Sequence, residues 1–337
     1  VTVARPKLTV VLSQAPGKHP AKRGLEESLA AALLVEPGVD LSIVPNLYDL
    51  GPDHTGRLFL QSLAGDAVIL SWHYPRAAFW LLDRIGVKGH FGETKLKPAD
   101  EDAEPDEPRP DAIGPAGAIP DRHLYTLDLR DAPKAEPFVA EVRRIAAECQ
   151  ERRAGRAAAN PVMVELGLPA KGPLAAFAPE QLLAPAGRRW YPVIDYSRCT
   201  NCLDCLDFCL FGVYGVDSLD RILVENQDQC KKGCPACSRV CPQQAIIFPE
   251  YKSPAIAGAD GGAAVGGLKI DLSRLFGGGE AADALTTAVA ERDRELVADG
   301  RDAVGMSVGI PKRQAGKPQG PKDDLDRLVD DLDNLGI

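Results

Sequence analysis

The 337-residue chain reads as an α/β domain with a mostly parallel sheet, followed by a small α+β cysteine-rich domain and a flexible C-terminal tail. Three observations predict this. Between about residues 7 and 152, short buried-type apolar runs alternate with helical apolar stripes, the pattern of repeated βα units. Of the nine cysteines, all but Cys149 fall between Cys199 and Cys241. The 32 glycines and 28 prolines imply loops or linkers in addition to the folded parts. The length suits about two domains, and the divisions expected are a sheet domain over 1–155, a linker over 156–189, the cysteine-rich domain over 190–252 and a tail over 253–337.

Taken in order, Lys7–Leu12 (KLTVVL) is a buried-type strand, and Leu25, Leu29, Ala32 and Leu33 mark the apolar face of the helix after it. Leu41–Val44 (LSIV) is the second strand, with a helix near Thr55–Leu63, and Ala67–Leu70 (AVIL) is the third. Pro75 suits the first turn of a helix that runs to about Ile85, with Gly86 just past its end. His123–Leu127 and a helix over about Glu136–Glu151 complete the set. Strands joined by helices imply a parallel sheet covered on both faces, so this half resembles a flavodoxin-like or Rossmann-like sandwich. The acidic, proline-rich stretch 97–121 interrupts the pattern and reads as a mobile insert.

The cysteines carry the chemistry. Cys199, Cys202, Cys205 and Cys209 are spaced C-x2-C-x2-C-x3-C, and Cys230, Cys234, Cys237 and Cys241 are spaced C-x3-C-x2-C-x3-C and followed by Pro242. A disulfide framework belongs to small secreted chains, whereas this chain is long, acidic and has no apolar leader segment at its start, so a cytoplasmic setting and metal-held thiolates are expected. Zinc sites use paired cysteines rather than triads with an outlier. In the triad spacing three sulfurs of a tight loop reach three corners of one iron–sulfur cube, while the fourth cysteine points toward a second cube.

Residues of about 190–250 resemble a bacterial-type ferredoxin with two [4Fe–4S] clusters. The segment is an internal repeat: Val193–Cys199 parallels Leu223–Cys230, and Cys205–Val213 parallels Cys237–Ala245. The resemblance implies that Cys199, Cys202, Cys205 and Cys241 hold one cube and Cys230, Cys234, Cys237 and Cys209 the other. Two departures stand out. Leu210 occupies a position that usually carries Pro, and the Lys231-Lys232-Gly233 step is one residue longer than usual. Gly233 can absorb the detour with a positive φ. The two lysines either raise the potential of the neighbouring cluster or simply point into solvent. Tyr191–Asp195 and Ala245–Phe248 read as paired outer strands, and 211–216 with 221–225 as a hairpin. Val193, Ile194, Ile222, Val224, Ile246 and Ile247 are expected to sheathe the cubes. A module of this size buries little core alone, so the clusters should also act as staples.

The sheet domain has neither G-x-G-x-x-G nor G-x-x-x-x-G-K-[ST], so a flavin or other nucleotide has no motif in its favour. Lys18, His19, Lys22 and Arg23 lie where the second element begins, which makes them either an anion site or a solvated basic loop. Asp53, His54 and Ser71-Trp72-His73-Tyr74 follow strands and either line a crevice or pack as strand ends. Cys149 shares an apolar stripe with Val142 and Ile145 and reads as a packing thiol. Beyond residue 253 a Gly/Ala-rich tether leads to 323–335, where Leu325, Leu328, Val329, Leu332 and Leu335 form one stripe. That segment is either a docking helix for a partner's groove or a helix lying on its own protein.

The function expected is electron transfer. The net charge, 39 basic against 48 acidic residues or −9, disfavours nucleic acid and suits redox partners with a basic docking patch. No run of eighteen apolar residues is present, so no membrane span is expected. Two other readings stand beside it: an oxidoreductase whose sheet domain binds a flavin or small anionic substrate fed by the clusters, and an iron–sulfur scaffold or redox sensor.

Overall fold

Residues 7–17, 19–96, 111–159 and 178–259, with positions 293, 294 and 297, are described by a computed structural model. Lys18, residues 97–110 of the insert, 160–177 of the linker, and nearly all of the tail after 259, including 323–335, lie outside the described residues.

Five strands form one parallel sheet: β1 (Leu8–Ser13), β2 (Val39–Val44), β3 (Ala67–Ser71), β4 (His90–Gly92) and β5 (His123–Asp128), in the order β2-β1-β3-β5-β4. Helices α1 (Pro20–Leu34), α2 (Thr55–Ser62), α3 (Pro75–Arg84) and α4 (Ala135–Ala159) cover it. Alternation along the strands sorts the side chains into two layers. Val10, Leu12, Val68, Leu70, Tyr125 and Leu127 meet α1 and α4, where Cys149 is buried as expected. Val11, Ile69 and Leu124 meet α2 and α3. The parallel α/β architecture thus follows the sequence expectation. The flavodoxin-type order 2-1-3-4-5 is kept through 2-1-3, with the last two strands interchanged. Strand β4 has only three residues, no alternating pattern and a glycine; a Cβ at Gly92 would come within 2.4 Å of the Tyr125 ring.

The cysteine-rich part is built on two small antiparallel pairs. β6 (Val193–Ile194) pairs with β9 (Ile246–Ile247), and β7 (Tyr214–Val216) with β8 (Ile222–Val224). Short helices α6 (Asp204–Phe208) and α7 (Ala236–Val240) each carry the third cysteine of a triad, with α5 (Pro179–Leu182) before the module and α8 (Pro254–Ala257) after it.

The two parts share a core. The Tyr48 and Tyr191 rings stack at 4.4 Å, and each hydroxyl bonds the other residue's backbone. Arg76, Trp80 and Arg84 repeat at four-residue spacing, so they lie on one face of α3, and this face meets the module. Arg76 Nε donates to Asp195 at 2.5 Å, the Trp80 ring lies 5.8 Å from that of Tyr196, and Arg84 donates to the Val224 carbonyl and the Gln227 side chain. This corrects the expected sheath. Ile194, Ile222, Val224 and Ile246 do lie with the cysteines, but Val193 and Ile247 face the sheet domain. Adjacent strand residues point to opposite faces, so one two-residue strand serves both cores. The segments on either side of the module are anchored too. His54 bonds the Ala184 carbonyl, Asp49 pairs with Arg188, and Gly258 (φ +101°) lies against Ala77. Within the insert, the Ile113 and Gly114 amides donate to the Cys199 and Tyr196 carbonyls.

Candidate metal centre

Two cavities open inside the module. The first is walled by Cys199, Cys202, Cys205 and Cys241, with Ile194, Ile222 and Ile246. The second is walled by Cys209, Cys230, Cys234 and Cys237, with Phe211, Val213 and Tyr214. Each cavity therefore takes three cysteines from one quartet and the last cysteine from the other. All eight sequence-predicted residues are brought to a cavity wall. Among the described residues no three Cys, His, Asp or Glu side chains converge at single-ion range, so the sulfurs line cavities rather than gather at one point.

Local backbone geometry explains how the sulfurs face inward. Asn201 (φ 58°) and Leu203 (φ 63°) are left-handed on either side of Cys202, which winds the first loop tightly. Such alternation turns successive amides toward one concavity, and backbone N–H groups of Asn201, Asp204 and Leu206 favour the charged forms of Cys199, Cys202 and Cys205. The Asn201 side chain also fixes the hairpin, accepting from Ile222 N at 2.8 Å and donating to the Asp220 carbonyl. In the second loop Gly233 is at φ +86° with open space around it, which accommodates the extra residue of the Lys231-Lys232-Gly233 step. Each triad's fourth cysteine ends a short helix: Cys209 and Cys241 donate their amides to the Cys205 and Cys237 carbonyls.

The electrostatics fit a cationic metal core. Burial raises the thiol pKa of Cys205, and the nearby Cys241, Cys199 and Cys202 raise it further. Burial likewise raises Cys237, followed by Cys230, with smaller contributions from Cys209 and Cys234. Cys202 is pushed to about 11, mainly by burial. The repulsions thus divide along the two crossed sets, and four clustered thiolates require positive charge between them. The buried Tyr214 hydroxyl lies beside Cys237, whose charged form it favours as a donor. This donor set, thiolates within apolar walls, fits iron–sulfur ligation.

The two sets differ in setting. Cys202 is exposed, whereas Cys230 packs against the core shared with the sheet. Trp190 anchors the second loop, stacking on Phe248 at 5.2 Å and donating its indole N–H to the Cys234 carbonyl. Sequence reading missed this anchor because Trp190 precedes the repeat.

The other candidates either make contacts within the chain or lie exposed. His54 caps α2 by accepting from Gly56 N at 3.0 Å, while Asp53 is exposed. His73 is buried beside Asn46, 3.2 Å away, and burial lowers its pKa to about 4. Trp72 donates to Glu26 at 2.8 Å and carries Lys22 on its ring; Arg23 bonds Glu26 and the Ala15 and Gly17 carbonyls, and His19 is exposed. At the carboxyl edge of the sheet, where open α/β sheets place ligands, Asn46 is instead bonded by Glu250, which Arg188 holds from the other side. No helix among the described residues is long and apolar enough to cross a membrane.

No family model matches the chain, and no solved structure does. A stretch of 66 residues, 19% of this chain, is 46% identical to an uncharacterised ferredoxin of Methanocaldococcus jannaschii. The match spans 44% of that protein, less than half its length. With its spaced thiols, the cysteine-rich segment is ferredoxin-like and points to iron–sulfur chemistry in electron transfer.

Proposed function

We propose that this chain is an electron-transfer protein that holds two [4Fe–4S] clusters, one on Cys199, Cys202, Cys205 and Cys241 and the other on Cys209, Cys230, Cys234 and Cys237. The observation that carries this reading is the crossed division of the eight cysteines between two cavities. When bound, each cluster supplies a one-electron couple whose potential depends on charge, hydrogen bonds and solvent exposure. The protein's part is to hold and shield. Apolar walls limit water at the sulfurs other than that of the exposed Cys202, amide donors stabilise thiolate charge, and Tyr191 with Tyr48 closes the side toward the sheet.

The exposed Cys202 marks the corner that a redox partner reaches. Around it Asp204 bears directly on the thiol, and Asp217 and Asp220 lie in the adjoining hairpin turn. A partner with a basic patch suits this face, and the association is salt-dependent. The engagement of the carboxyl edge by Glu250 and Arg188 supports a scaffolding part for the sheet domain over a flavin or anion site.

Reduction of the anaerobically purified chain, followed by potentiometric titration with low-temperature EPR, tests the proposal. Two one-electron reductions per chain, with the signal of two interacting clusters, are expected. A chain loaded with iron that takes up no electrons over the accessible range instead identifies an iron–sulfur scaffold.

A further inference from the structure

Arg76 belongs to the sheet domain, yet its guanidinium lies inside the cluster module. It is 6% exposed, has no place in either cavity wall, and joins the two ends of one ligand set. Its Nε donates to Asp195 Oδ2 at 2.5 Å, and its Nη2 to the Gln244 carbonyl at 2.5 Å. Asp195 stands four residues before Cys199 and Gln244 three residues after Cys241. These are the two cysteines of the first cavity that are furthest apart in sequence.

Each contact reaches a ligand through backbone. The Asp195 carbonyl accepts the Cys199 amide at 3.0 Å, and the Asp195 amide donates to the Ala245 carbonyl at 2.7 Å. Gln244 is left-handed (φ 51°), a conformation that costs a non-glycine residue free energy. Arg76 holds its carbonyl there, and the next amide, that of Ala245, donates to Cys241 Sγ at 3.3 Å. The Asp195 carboxylate, 1% exposed, adds negative charge beside Cys199. Arg76 neutralises that charge, with Arg198 a second, more distant cation at 3.5 Å.

We infer that Arg76 is a positioning residue for the cluster on Cys199, Cys202, Cys205 and Cys241, orienting the Cys199 and Cys241 backbones and setting that cluster's potential from the sheet domain. This deepens the proposed function and rests on it. A reduced cluster is the more negative form, so loss of the guanidinium disfavours reduction and loss of the Asp195 charge favours it.

The test titrates wild type, Arg76→Gln, Arg76→Lys and Asp195→Asn as full chains, with iron content measured on each. The expected result is that one of the two reduction waves moves to lower potential in Arg76→Gln, by roughly tenfold in the reduced-to-oxidised ratio, about 59 mV for a one-electron couple. The same wave moves to higher potential in Asp195→Asn and returns toward wild type in Arg76→Lys. Equal movement of both waves, no movement, or shifts of the same sign in Arg76→Gln and Asp195→Asn overturn the inference. If Arg76→Gln loses iron, Arg76→Lys and Asp195→Asn decide by the same signs. A wild-type chain without iron–sulfur clusters overturns the function on which the inference rests, whereas an iron-loaded wild type with unmoved waves overturns the inference alone.

Discussion

Tyr48→Phe isolates the joint between the sheet and the cluster module. Tyr48 is fully buried, and its hydroxyl both donates to the Tyr191 carbonyl and accepts the Tyr191 amide, each at 2.6 Å. Burial also holds its pKa far above the ordinary range, so the proton it donates is present at any working pH. Phenylalanine preserves the ring that stacks on Tyr191 and removes only the oxygen. Two buried backbone groups then lose their partner, at about 1–3 kcal/mol each, so the loss is roughly 2–6 kcal/mol. The assay is anaerobic urea unfolding followed by far-ultraviolet circular dichroism for the sheet and helices and by visible absorbance for the clusters. In wild type the two curves coincide, because Tyr191, Val193 and Ile247 belong to the same core as Val11 and Ile69. In Tyr48→Phe both move together to lower urea. Separate transitions in wild type, or a loss below about 0.5 kcal/mol, the range of a surface substitution, refute the shared core.

Two further outcomes follow from the site and its surroundings. Cys241→Ala removes a ligand from the cluster of the first triad and Cys209→Ala from that of the second, so each variant keeps the cluster built on its own quartet's triad; spectroscopy showing the reverse contradicts the crossing. His73, with its pKa lowered to about 4 by burial, binds its proton less tightly folded than unfolded. Its contribution is complete above the unfolded value near 6.5 and is lost as pH falls toward 4, about 3 kcal/mol in all. The groups that bear on it are Glu250, Asp128, Arg130 and Lys22. His73→Gln should flatten the dependence of the urea midpoint between pH 6.5 and 4, and an unchanged slope counts against the assignment.

The parallel sheet and the triads were legible because each rests on a local signal. A strand buried on both faces shows as a short apolar run such as Ala67–Leu70 (AVIL), all four of whose residues are buried. Cysteine spacing, in turn, is a matter of loop length. What lay beyond the sequence is non-local. Strand β4 is held by pairing with β5 rather than by any pattern of its own. The crossed strand order depends on how the chain returns from β4 to β5. The joining of the two parts rests on Arg76, Trp80 and Arg84, which read in sequence as an ordinary helix face with two charges. Their partners, Asp195, Tyr196 and Val224, stand more than 100 residues away. Similarly, Val193 and Ile194 look alike as apolar strand residues, and only the opposing sheet decides which one faces a cavity.

The most direct test of the central claim is the iron and acid-labile sulfide content of the anaerobically purified full chain. Two four-iron cubes predict about eight irons and eight sulfides per chain, with broad visible absorbance that bleaches on reduction. Stoichiometric zinc in a colourless protein, with no labile sulfide, contradicts it.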